Sequence, residues 1–80
     1  MRQESSGAQW IGRPKLEQAA LEHLSELERG AERTTTQLVE ALDALRWQVV
    51  AAMTGLQLDG RVASRSDDEG TLLWRLERRA

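Results

Sequence analysis

His23 is the single histidine of this 80-residue chain, and there is no cysteine. Covalent or general acid–base catalysis needs a nucleophile beside a base, or paired acids held in a cleft. His23 falls at the edge of an apolar helical face, where a histidine ordinarily packs half-buried. Glu17, Glu22, Glu26 and Glu28 spread over the polar side of the same segment, as solvation requires. Gly7, Gly12, Gly30, Gly55, Gly60 and Gly70 stand one by one, so no glycine-rich phosphate loop is present. Asp67-Asp68-Glu69-Gly70 is the densest acidic run, but it lacks the alternating ligands and the distant Glu of a calcium loop. It reads as a turn. Without thiolates and with one imidazole, an all-protein zinc site is not expected. These residues predict a protein that is not an enzyme and that carries no metal or cofactor.

The remaining chemistry is cationic. Ten of the eleven basic residues are Arg, and Lys15 is the exception. A guanidinium fork suits bidentate phosphate contact. A GC-rich coding sequence yields the same Arg excess with no functional meaning. The formal net charge of −2 excludes a strongly basic nucleic-acid binder of the histone kind. The charge is uneven: residues 1–45 carry five basic and eight acidic side chains, and residues 46–80 carry six and five.

The elements that must position these groups follow from pattern and length. A single domain of this size has a small core, supplying about 3–5 kcal/mol of net stability unless stapled. Disulfides are excluded, which leaves oligomerisation as the available staple. The longest uncharged stretch, Trp47 to Leu58, has twelve residues, short of the ~20 that a membrane span needs. The first residues lack an apolar signal core, so the chain reads as intact and cytoplasmic, with no membrane partner. Residues 1–13 read as a flexible leader with one apolar pair, Trp10-Ile11. Pro14 suits a first helical turn. The spacing predicts a helix over Lys15–Arg29 with Leu16, Ala20, His23, Leu24 and Leu27 on one face, closed by Gly30. Thr34-x-x-Gln37 has capping-box form. It predicts a second helix over Thr35–Leu42 with Leu38, Ala41 and Leu42 inward. After a break at Asp43-Ala44-Leu45, a third helix is expected over Arg46–Leu58, closed by Asp59-Gly60. Beyond Gly60 the period becomes two: Arg61–Arg65 and Thr71–Leu76 alternate around a turn, which predicts a β-hairpin. Leu72, Trp74 and Leu76 share one side. The pattern leaves room for a short extra strand around Arg33. The domain spans residues 14–77, followed by a tail at 78–80.

Three helices followed by a hairpin, with the spacing of residues 34–77, resemble the winged helix-turn-helix family. Leu38 and Leu42 match the apolar positions of its second helix, and Ala44 its tight turn. Val49, Met53 and Leu56 match the buried positions of its third helix. Gly60-x-Val62 matches the point where that helix ends and the wing begins, and Trp74 and Leu76 the returning strand. The resemblance implies an α+β winged helix and duplex DNA as partner, with the third helix in the major groove.

On a helical wheel at ~100° per residue, the third helix is apolar on two sides. Val49, Ala52, Met53 and Leu56 form the core side; Trp47, Ala51, Thr54, Gly55 and Leu58 form the opposite one. Arg46 with Gln57, and Gln48 with Asp59, line the seams. Three readings remain open. Trp47, Ala51, Gly55 and Leu58 face a partner, either a second copy of the chain or another protein; or the leader covers them with Trp10 and Ile11; or the helix meets DNA through Arg46, Gln48 and Thr54. On the hairpin, Arg61, Arg65, Arg75, Arg78 and Arg79 are positive while the tip is acidic. A minor-groove wing carries its cations at the tip. Here Arg65 and Arg75 are the candidates for backbone phosphates. The other reading is a solvated hairpin whose charges prevent edge pairing. The expected function is a small dimeric DNA-binding transcriptional regulator. The alternative is a protein–protein interaction module of the same fold.

Overall fold

The computed structural model describes residues 12–77. In chain order the elements are α1 (Arg13–Ser25), β1 (Arg33–Thr34), α2 (Thr35–Leu42), α3 (Arg46–Leu58), β2 (Val62–Ser66) and β3 (Leu72–Leu76). This is an α+β fold with winged-helix order: three helices, then a hairpin. The Trp10-Ile11 pair and the tail with Arg78 and Arg79 lie outside the described residues.

Pro14 occupies the first turn of α1, where its missing N–H costs nothing. The helix begins at Arg13, two residues before the expected Lys15. It stops at Ser25 rather than at Arg29. The Ser25 hydroxyl donates to the Glu22 carbonyl at 2.8 Å, and the Glu26 N–H divides itself between the carbonyls of Glu22 and His23. Such side-chain competition and bifurcated bonding are how a helix frays into a tighter turn. Gly30, expected as the helix cap, instead sits at φ +82° in a separate turn closed by Ala31 N–H on Glu28 O.

α2 and α3 have the predicted bounds because their ends are locally determined. Gln37 N–H donates to Thr34 Oγ1 at 3.0 Å and Thr34 N–H donates to Gln37 Oε1 at 2.8 Å, a reciprocal capping box. Asp43, at φ 53°, turns the chain between the two helices. At the far end of α3, Gly60 adopts φ +77°, with Arg61 N–H on Leu56 O at 2.9 Å and Gly60 N–H on Gln57 O at 3.0 Å. That is a Schellman closure, and it requires the left-handed residue that glycine supplies.

The hairpin strands pair antiparallel, with Val62 opposite Leu76 and Ser64 opposite Trp74. Arg33 and Thr34 form the extra strand, paired with Trp74 and Leu73, so the sheet has three strands in the order β1-β3-β2. The acidic run is the turn expected: Asp67 Oδ1 accepts from the N–H groups of Glu69 and Thr71 at 2.9 Å.

The core joins Leu16, Ala20 and Leu24 of α1, Leu38 of α2, Val49, Ala52, Met53 and Leu56 of α3, and Val62 and Trp74 of the sheet. His23 and Leu27 are half-buried beside it. One expected core position is corrected: Ala41 is exposed, because the inward side of this two-turn helix is filled by Leu38 with Leu42 half-buried. Leu72 shares the side of Trp74 and Leu76 as expected, but it is exposed, because it begins β3 beside the turn, opposite exposed Ser66. Trp74 Nε1 donates to the buried Thr35 Oγ1 at 2.9 Å, tying the central strand to the start of α2.

Candidate functional site

α3 is the element that carries most of the large apolar side chains left exposed by the fold. Arg46, Trp47, Val50, Thr54, Gln57 and Leu58 are exposed along it, and Ala51 is half-buried. Trp47 is 58% exposed, Val50 41% and Leu58 83%, large values for apolar side chains. Val50 follows Trp47 by three residues and Leu58 follows Val50 by eight, which puts all three on one side of the helix with exposed Thr54 between them. Arg46 opens the helix and donates to Thr36 Oγ1 on α2, while remaining exposed.

Two expected site residues are corrected. Gln48 does not face DNA: it is 4% exposed, and its Oε1 accepts from Leu45 N–H at 3.2 Å. Gly55 does not face a partner: it is buried beneath α1. A Cβ there would lie 2.7 Å from Glu17 Oε2 and 3.0 Å from a guanidinium nitrogen of Arg13. Those two side chains form an ion pair at 3.1 Å that spans the glycine. α1 packs over Gly55, and Gln48, on the same side of the wheel, is buried as well, so the open face of α3 is rotated toward Arg46, Val50 and Gln57. Val50 was therefore missed. Its position three residues after Trp47 and four before Thr54 is the signal that would have found it.

A second polar group lies on the sheet, on the side opposite Trp74. Alternation and register place Ala63, Arg65, Leu73 and Arg75 there. The antiparallel pairing of Arg33 with Trp74 brings Glu32, the residue before β1, across from Arg75. Arg65 grips the Glu32 carboxylate with both arms of its fork, Nε to Oε2 at 2.7 Å and a terminal nitrogen to Oε1 at 2.8 Å. The bond from Arg65, helped by the charges of Arg65 and Arg75, holds the Glu32 carboxyl below its ordinary range. The same bond raises Arg65, with Asp67 adding to it. The structure thus brings Arg65 and Arg75 together with Glu32 on the sheet, while Arg46 and Thr54 lie on α3.

The other features carry less chemistry. A groove of about 350 Å³ runs along α1, lined by Pro14, Glu17, Gln18, Leu21, Glu22 and Arg61. It contains carboxylates and a guanidinium, and no nucleophile beside a base. Among the described residues, no group of three or more His, Cys, Asp or Glu is placed to hold a metal ion, and no helix is long and apolar enough to cross a membrane. No protein-family model matches the sequence, and no curated protein matches it.

Proposed function

We propose that the chain is a non-enzymatic DNA-binding module of the winged helix-turn-helix type, a small regulator that works as a dimer on duplex DNA. The observation that supports this reading is the placement of α3. It runs through a Gly60 closure directly into the hairpin, and it exposes Arg46 and Thr54 on the one face that it does not pack into the core. That is the presentation a helix needs to enter a major groove. Arg46 and the strand arginines supply phosphate contacts, and Trp47 and Val50 lie against sugars and thymine methyls. With so few base-reading groups, affinity comes mainly from the backbone. Duplex binding should therefore weaken steeply with salt, by about one unit of log–log slope per phosphate neutralised. Arg46→Ala should lower that slope by about one and weaken all sequences alike. A slope near zero for the wild type would refute DNA as the partner.

A second reading rests on a different observation: the apolar stripe Trp47, Val50 and Leu58 is larger than a phosphate-tracking helix requires. Tryptophan in particular anchors protein interfaces. In this reading the outer face of α3 takes another protein chain, in the simplest case a second copy. Sedimentation of Trp47→Asp separates the two. Under the first reading it loses DNA affinity and keeps the wild-type mass; under the second it becomes monomeric, and the wild type does not bind DNA.

A further inference from the structure

Arg65 and Arg75 are the cations that the sheet turns outward, yet the resting chain does not offer Arg65 to a ligand. Its fork is closed on a carboxylate that lies 33 residues away in sequence. Three features of that contact bear on its role. First, its geometry is bidentate, with both distances under 3 Å, and a carboxylate and a phosphate present the same pair of oxygens to a guanidinium. Second, the contact is open to solvent, with the Arg65 side chain 53% and the Glu32 side chain 22% exposed, so an incoming anion can reach it. Third, Glu32 is carried by the connection between α1 and β1. That connection enters the sheet through an edge strand of only two residues. The central strand runs beneath the bridge, and its Arg75 adds a second positive charge to the field at Glu32.

We propose that Glu32 is an internal stand-in for a backbone phosphate: it occupies a phosphate-binding fork made by Arg65, with Arg75 beside it, and the sugar–phosphate backbone of a nucleic acid displaces it. The inference rests on the nucleic-acid reading above and adds an autoinhibitory contact to it. With Glu32 seated, Arg65 is neutralised, and Arg75 is the sheet cation left on that side of a hairpin whose tip is acidic. With Glu32 displaced, Arg65 and Arg75 face outward together. Discrimination then follows from strength. A lone carboxylate or chloride does not outcompete the tethered Glu32, whereas a run of phosphates already bound through α3 delivers the next phosphate at high local concentration.

The test uses the full chain and a labelled duplex of about 20 base pairs, with affinity read by fluorescence anisotropy over a salt series. Glu28→Gln removes one exposed acid from the same connection and serves as the charge control. Removing any one negative charge strengthens duplex binding modestly. Freeing a guanidinium to neutralise one more phosphate also steepens the log–log salt slope by about 0.9. Glu32→Gln is therefore expected to bind on the order of tenfold tighter at low salt, with the steeper slope, and Glu28→Gln to leave the slope unchanged. In an Arg65→Ala background, Glu32→Gln should no longer change the slope. On the wild type itself, the Arg65 Nε–H resonance should shift when the duplex is added, as its acceptor changes from carboxylate to phosphate; this requires no variant to fold. Equal slopes for Glu32→Gln and Glu28→Gln, with an unmoved Arg65 resonance, overturn the stand-in while leaving DNA binding intact. Failure of every form of the chain to bind the duplex overturns both.

Discussion

Trp74 shows how much rests on single contacts in a core this small. It is 2% exposed, and its Nε1–H is satisfied by the buried Thr35 hydroxyl. Trp74→Phe removes the donor, leaves that hydroxyl without it, and shortens the ring. A buried polar group left unsatisfied costs about 1–3 kcal/mol, so a loss of about 2 kcal/mol is expected in urea unfolding. That is a large share of the ~3–5 kcal/mol available to a domain of this size. Glu32 makes a prediction of a different kind. Its carboxyl is held below the ordinary value by the bond from Arg65 and by the charges of Arg65 and Arg75. A carboxyl with a lowered folded-state pKa contributes stability that is fully present above its unfolded value. That contribution fades as the pH falls through about 4.3 toward the lower folded value. Thermal midpoints measured from pH 7 down to pH 3 should fall less for Glu32→Gln than for the wild type. Identical acid limbs would mean that the pair contributes nothing to stability.

Among the elements, α2 and α3 depend on their ends. Thr34 caps α2 and also belongs to β1, so one residue closes a helix and begins a strand. Thr34→Ala removes the side-chain acceptor for Gln37 N–H and should cost ~1 kcal/mol, read as a lower unfolding midpoint at unchanged slope. The α1–α3 contact makes a graded prediction at Gly55. An added methyl meets the tips of Arg13 and Glu17, flexible side chains of which the first is 62% and the second 21% exposed. Displacing a surface ion pair loses at most ~1 kcal/mol, and replacing a mid-helix glycine by alanine gains about the same. Gly55→Ala should therefore be close to neutral in stability. Gly55→Val cannot be accommodated by side-chain movement alone, so it should force the helices apart and cost about 1–3 kcal/mol. A neutral Gly55→Val would show that the two helices are not closely packed there.

At the scale of the whole molecule the charge distribution and the apolar stripe pull in different directions. The net charge is −2 and the wing tip is acidic, which opposes approach to a polyanion. The stripe on α3 attracts apolar surface. Each large apolar side chain buried from it contributes about 1.5–3 kcal/mol, enough for Trp47 and Leu58 to govern association between copies of the chain. Replacing Asp67, Asp68 and Glu69 by Asn, Asn and Gln removes the tip charge while Asn retains the turn-forming oxygen at position 67. Duplex affinity should rise, most at low salt where screening is weak. Unchanged affinity would place the wing tip away from the duplex and leave α3 as the working surface.

What the sequence determined by itself is what neighbouring residues determine. The bounds of α2 and α3 follow from the Thr34–Gln37 box and from Gly60, whose effects reach only a few residues. The hairpin follows from alternation around a turn whose Asp67 caps its own backbone. Even β1 was legible at Arg33, though its partner was not. The end of α1 was misread because Ser25 competes with the helix locally in a way that apolar spacing does not register. The tertiary structure alone decided which side of α3 is open. A wheel gives the angles of Val50 and Gly55, but only the position of α1 says that Gly55 lies beneath it while Val50 stays exposed. It alone brought Glu32 to Arg65, because a two-residue strand must pair with β3 before a side chain at position 32 can reach across to one at position 65. Local bonding is encoded within a turn or two of chain; a face, or a salt bridge between distant segments, exists only once packing has fixed which segments are neighbours.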